Sequence, residues 1–268
     1  MRRYSTLKYL VYALCVLAVS GCDFSSLKDP IVISEVEDEF HIDLWENLGT
    51  TREERSLVLK IESIQTEKCL NYKIDAPFSR DGNRLKVALN NIIQPLDCVA
   101  GEATVKADIS AGYVSNGIYS FNIDLKNTVF NDGQLNVNSD SYTLNMYSEN
   151  GFSMKHKELL RVPDGAVWGY VQYQQAPDEA IAKQFVEDLK TRSQNPTTYR
   201  SGYYGHFTIG AIDRVISVFE QPATPNTKPF LYHYTDEPNK LKNLVETYRQ
   251  QYDNRLTIKL YNSKGETL

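Results

Sequence analysis

His206-Phe207-Thr208 and His233-Tyr234-Thr235 repeat one pattern, an imidazole and a hydroxyl two residues apart. On a strand, residues i and i+2 share a face, so each tripeptide would aim both groups the same way. Two imidazoles facing each other can accept a proton from one oxygen and return one to another, the acid–base work of ester or phosphodiester hydrolysis. The tripeptides stand 27 residues apart, and the nearest cations to answer a phosphate's charge are Arg214 and Lys228. The same pattern also describes two half-buried strand histidines in a stretch rich in tyrosine.

A second group is Glu39, His41 and Asp43, three polar side chains on one face of an alternating segment, with Glu35, Glu37 and Asp38 before it. Carboxylates with an imidazole suit a divalent cation. A solvated strand face, its acids helping solubility, is the better account of them, since the chain has no glycine-centred calcium loop. Serine chemistry lacks a G-x-S-x-G elbow. Gly202, Gly205 and Gly210 have no helix after them, which excludes a phosphate loop. No metal or cofactor is expected.

The two His-x-Thr tripeptides resemble the paired H-x-T/S motifs of two-histidine phosphoesterases. The resemblance implies one histidine of His206 and His233 as base and the other as acid on a cyclic phosphate, with Thr208 and Thr235 holding phosphate oxygens. In that family the pairs lie much further apart, in two symmetric lobes.

Residues 1–22 carry a different signal. Arg2, Arg3 and Lys8 precede the apolar run Tyr9–Val19, which is too short for a stable membrane span, and small residues lead into Cys22. Val19-Ser20-Gly21-Cys22 resembles the lipobox of bacterial lipoproteins. The resemblance implies cleavage before Cys22, acylation of its thiol and new amino terminus, and attachment to a membrane outside the cytoplasm. In a Gram-negative cell this reads as an outer-membrane lipoprotein, with the leaflet and membrane face open. Two or three acyl chains anchor firmly where one does not.

Loss of Arg2, Arg3 and Lys8 takes the net charge from −5 to −8, which argues against nucleic acid as a partner. Of four cysteines, Cys15 leaves with the leader and Cys22 carries lipid, so Cys69 and Cys98 remain to form a disulfide in an oxidising compartment.

The elements that position these groups fall into two styles. After a polar tether at 22–30, residues 31–162 alternate with period two: Phe40/Ile42/Leu44, Leu57/Leu59/Ile61, Tyr72/Ile74, Leu85–Leu89, Val105/Ala107/Ile109, Tyr119/Phe121/Ile123/Leu125, Leu135/Val137 and Tyr142/Leu144/Met146. Turn residues punctuate them at Asp81-Gly82-Asn83, Ser115-Asn116-Gly117, Asp132-Gly133 and Glu149-Asn150-Gly151. This predicts an antiparallel, Ig-like β-sandwich. From 163 to 268 the order reads β-α-β-β-β-α-β. Strands are expected at Ala166–Tyr173, Tyr203–Ile209, Val215–Phe219, Pro229–Thr235 and Leu256–Leu260. One helix opens at Pro177-Asp178-Glu179, and another, capped by Asp236, carries Leu241, Leu244, Val245, Tyr248 and Tyr252. Two helices on one face of an antiparallel sheet give a small α+β domain, ferredoxin-like but for an extra strand.

Tyr199, Tyr203, Tyr204, Tyr232 and Tyr234 gather in that second sheet, with Trp168, Phe207 and Phe230. Tyrosine suits a recognition surface, so Tyr203, Tyr204, Tyr232 and Tyr234 are candidate binding residues; packing against the first domain is the alternative. The sequence therefore reads as a membrane-tethered envelope lipoprotein, a non-catalytic module that binds another envelope protein or a glycan. The alternative is a periplasmic hydrolase of phosphodiesters or glycans centred on His206 and His233.

Overall fold

Phe40, Ile42 and Leu44 are buried on one face of their strand while His41 and Asp43 stay partly exposed on the other, the alternation that a one-sided core imposes. The structure is a computed structural model that describes residues 36–196, 198–253 and 255–268. The leader, the tether and Cys22 lie outside the described residues. Glu37–Leu268 forms one compact unit.

In chain order the first part contains β1 (Phe40–Asn47), β2 (Ser56–Cys69), β3 (Lys73–Asp75), β4 (Phe78–Asp81), β5 (Arg84–Leu89) and β6 (Asn91–Ile93). There follow β7 (Ala100–Gly112), β8 (Gly117–Leu125), β9 (Val129–Val137), β10 (Ser141–Met146), β11 (Phe152–Met154) and β12 (Glu158–Leu160). Two sheets, β11-β1-β2-β7 and β12-β10-β9-β8-β5-β4, contribute to one apolar core. That core holds Ile42, Leu59, Val87, Phe121, Leu135 and Tyr142. Burial of each such side chain contributes roughly 1.5–3 kcal/mol.

Most pairings are antiparallel, but β5–β8 and β1–β11 are parallel, which corrects the expectation of a wholly antiparallel sheet. Parallel neighbours need a long crossover, and β5 reaches β8 by way of β6 and β7. Asp132-Gly133 is likewise not a turn. It lies inside β9, with Gly133 opposite Phe121 on one side and Met146 on the other. A side chain at Gly133 would run into the Asn145 carbonyl and Met146, so the residue serves close strand approach.

The second part contains β13 (Ala166–Tyr173), α1 (Glu179–Lys190), β14 (Ser193–Gln194), β15 (Gly202–Tyr203), β16 (Phe207–Ile209) and β17 (Ile216–Val218). It ends with β18 (Thr227–Tyr234), α2 (Pro238–Gln251) and β19 (Leu256–Asn262). The main sheet, β14-β18-β13-β19, is antiparallel throughout. Val167, Val171 and Tyr173 of β13 share a core with Ala182, Phe185 and Leu189 of α1 and Leu241, Val245 and Tyr248 of α2. The opposite face, with Trp168 and Tyr170, packs on Phe207, Ile209 and Val218 of a separate sheet, β15-β16-β17.

The strand expected at Tyr203–Ile209 is thus broken in two. Gly205 turns the chain in the left-handed region at φ 77°, and a Cβ there would press on the Trp45 ring. At α2 the N-cap is Glu237 rather than Asp236, because Pro238 takes the first helical position; Asp236 instead accepts from the Glu237 N–H.

Candidate functional site

The histidines of the two His-x-Thr tripeptides engage different partners. His206 lies one residue before β16, beside the Gly205 turn, and Thr235 one residue beyond β18. The His206 ring sits between Trp45 and Trp168, with centroids 4.2 and 5.6 Å away, and its Nε2–H donates to the Glu46 carbonyl at 2.8 Å. Burial, reinforced by Lys60 and Arg55, pulls its pKa down to about 4. His233, on β18, shares a hydrogen bond at Nδ1 with the Tyr199 hydroxyl at 3.1 Å. Thr208 pairs with Ser217 and Tyr203 across its small sheet, and the Thr235 hydroxyl donates to the Arg192 carbonyl.

His206 therefore has a measurable consequence for stability. Its folded pKa lies below the unfolded value of 6.5, so the unfolded chain binds the extra proton between pH 6.5 and 4. Stability contributed by neutral His206 is present above pH 6.5 and is lost as pH falls toward 4, by about 2–3 kcal/mol. Urea unfolding of wild type and His206→Gln across this range should show the steeper pH slope in wild type. Parallel curves would refute the assignment.

Glu39, His41 and Asp43 do share a face, but each is engaged separately. Glu39 pairs with Lys126, His41 bonds to the Ser153 hydroxyl, and Asp43 meets His156 and the Tyr203 hydroxyl. Among the described residues no three His, Cys, Asp or Glu side chains are grouped to hold a metal ion. A groove of about 430 Å³ runs beside them, and its lysines are paired: Lys60 with Asp108, Lys106 and Lys155 with Glu62. The Lys155 and Thr104 hydrogen bonds hold the Glu62 pKa down to about 2.

The four candidate binding tyrosines divide. Tyr204 is buried and donates to the Arg200 carbonyl; burial raises its pKa to about 12. Tyr203 packs on the first core, stacks on His156 at 3.7 Å and donates to Asp43 at 2.9 Å. Tyr232 and Tyr234 pack beside the helical core.

A constellation absent from the sequence reading occupies the junction of the two parts. In β1 the inward series Phe40, Ile42, Leu44 continues to Glu46, a carboxylate with no exposure at all. Burying a lone carboxylate is costly, and the chain surrounds this one with donors. Arg161 Nε–H and the Tyr142 hydroxyl each donate to Oε1 at 3.0 Å, and Arg55 Nη1 stands 3.5 Å from Oε2. Burial and the Glu46 charge push the Tyr142 pKa far above the usual phenol value. Arg55 also donates to the Val162 carbonyl at 2.6 Å, the Ser263 carbonyl at 3.2 Å and the Asp164 carboxylate at 2.8 Å. One guanidinium thereby ties the segment before β2 to the link between the parts and to the end of β19.

Arg55 and Arg161 are only 4% and 6% exposed, and they border a cavity of about 360 Å³ with Arg52, Arg200, Ser139 and Tyr199. Glu46 marks itself in the sequence only as a charge where the alternation demands an apolar residue. Its partners lie 9 and 115 positions away, so no local motif discloses the set.

No protein-family model matches this sequence, and no curated protein and no solved structure matches it either.

Proposed function

We propose that the chain is a membrane-tethered lipoprotein of the cell envelope and acts as a binding module rather than a catalyst. In this reading residues 31–162 are an Ig-like β-sandwich and 163–268 a ferredoxin-like lobe. The sheet order β14-β18-β13-β19 supports the latter: with β15–β17 set aside as an insertion, the chain runs β-α-β-β-α-β. The observation that carries the binding reading is the arginine-bordered cavity at the junction, where Arg55 fixes three segments around a concave site. The separate engagement of His206 with Trp45 and of His233 with Tyr199 weighs against paired acid–base work. The Cys69–Cys98 disulfide supports an oxidising compartment. Among the described residues no helix is long and apolar enough to cross a membrane, and the lipid on Cys22 supplies the anchor.

Two experiments test this. Cells fed labelled palmitate should label the wild-type chain and not Cys22→Ser; label on the variant would sink the tether. The tagged chain, purified in detergent, should retain a specific envelope protein or glycan from solubilised envelopes. Its failure to retain either, with hydrolysis of a cyclic phosphodiester that His233→Ala abolishes, would favour the hydrolase.

A further inference from the structure

Arg55 and Arg161 bring two buried positive charges to the junction, and Glu46 supplies one buried negative charge. Asp164, the second acid on Arg55, has a side chain 78% exposed, so water screens it. Two side-chain nitrogens, Arg55 Nε and Arg161 Nη2, are closed off from solvent and have no hydrogen-bond partner among the described residues. Both side chains border the 360 Å³ cavity, and both are more than nine-tenths buried. An unsatisfied N–H on a buried guanidinium costs free energy that an anionic oxygen would recover.

The rim carries both signs. Arg52 and Arg200 stand at the cavity with Asp140 and Asp164; Arg200 pairs with Glu158, and among the described residues Arg52 has no ion pair. The Ser139 and Thr198 hydroxyls and the apolar Leu160 and Pro163 complete a lining suited to a small organic molecule with one charged end. The larger groove beside Asp43 differs, since its lysines are already neutralised by neighbouring carboxylates.

We propose that this cavity binds the oxyanion group, carboxylate or phosphate, of a small ligand at its arginine-lined wall, and that a small shift of the Arg55 and Arg161 side chains on binding brings their orphaned N–H donors to the anion. Glu46 then acts as the buried counter-charge that holds both guanidinium groups in place, and Arg52 steers the anion from the rim. The inference rests on the reading of the chain as a binding module and names the chemistry of what it binds.

The test is a titration of the ¹⁵N-labelled wild-type chain, with the arginine side-chain N–H signals as readout. One arm adds inorganic phosphate and the other succinate, with sodium chloride holding ionic strength constant. Saturable shifts of the Arg55 and Arg161 signals are expected, and the arm that saturates first names the group. Arg161→Lys keeps a charge beside Glu46 but loses the guanidinium fork, and should weaken binding about tenfold. Arg52→Ala, at an exposed position, should weaken it severalfold and leave the fold intact. Signals that stay fixed, or drift linearly, in both arms to about 50 mM overturn the proposal, whether or not Arg161→Lys folds. If the same chain still retains an envelope partner, the anion site fails alone and the binding-module reading stands.

Discussion

Glu46→Ala is expected to destabilise the chain by about 3–5 kcal/mol, because it strands the buried Arg161 guanidinium without its counter-ion and leaves Arg55 with the exposed Asp164 carboxylate alone. Glu46 is fully buried, and Arg55 and Arg161 are nearly so. Solvent therefore reaches little of either guanidinium group. The Tyr142 hydroxyl loses its acceptor in the same step. Replacing all three charges by methionine is a different change, since an apolar substitute for a buried ion pair is often neutral or stabilising. Chemical denaturation should thus show a large drop in midpoint for Glu46→Ala and recovery of much of it in the triple methionine variant. A drop under about 1 kcal/mol for the single variant would place the guanidinium groups in contact with water.

The contrast between Glu46 and its neighbours explains what the sequence disclosed. Gly117–Leu125 was legible because a one-sided core forces apolar residues onto alternate positions, and Ala166–Tyr173 because a strand buried on both faces reads as one apolar-rich run. The helices were legible because Phe185, Leu189, Leu241, Val245 and Tyr248 repeat at the helical period and fall on one core. The Cys69–Cys98 pairing followed from elimination and holds in the structure. Local patterns misled where tertiary approach decides. Asp132-Gly133 has turn chemistry, yet the close passage of β10 needs a glycine inside a strand. Tyr203–Ile209 alternates like one strand, yet the contact of Gly205 with Trp45 bends it into two. The tyrosines could not be assigned to a face, because the three-stranded insertion that covers the back of the main sheet has no marker of its own. The Glu46 set was hidden for a simpler reason: Arg161 meets Glu46 from 115 positions away, and periodicity reports only what lies within one element.

Loss of the Cys69–Cys98 bridge should cost about 3–4 kcal/mol in the chain-closure account, from a separation of 29 residues. The bridge joins the end of β2 to the loop before β7 and closes an excursion that holds the short β3–β6 pair. Hydrogen bonds at its neck duplicate the crosslink: the Leu70 N–H donates to the Val99 carbonyl, and the Asn71 amide donates to the Asp97 carbonyl at 2.6 Å. β4 and β5 lie within the same excursion and are held independently in the six-stranded sheet, with β5 paired to β8. Those contacts keep the native state folded without the bridge, so the effect acts mainly through the unfolded chain, which gains freedom when the loop opens. Cys69→Ala/Cys98→Ala should accordingly unfold at lower denaturant, with a far-ultraviolet circular dichroism spectrum close to that of wild type. Cys98 is exposed, so reductant should reach the native bridge and bring wild type to the same midpoint as the double variant. Equal midpoints for oxidised wild type and the double variant would show that the neck hydrogen bonds already impose the constraint in the unfolded chain.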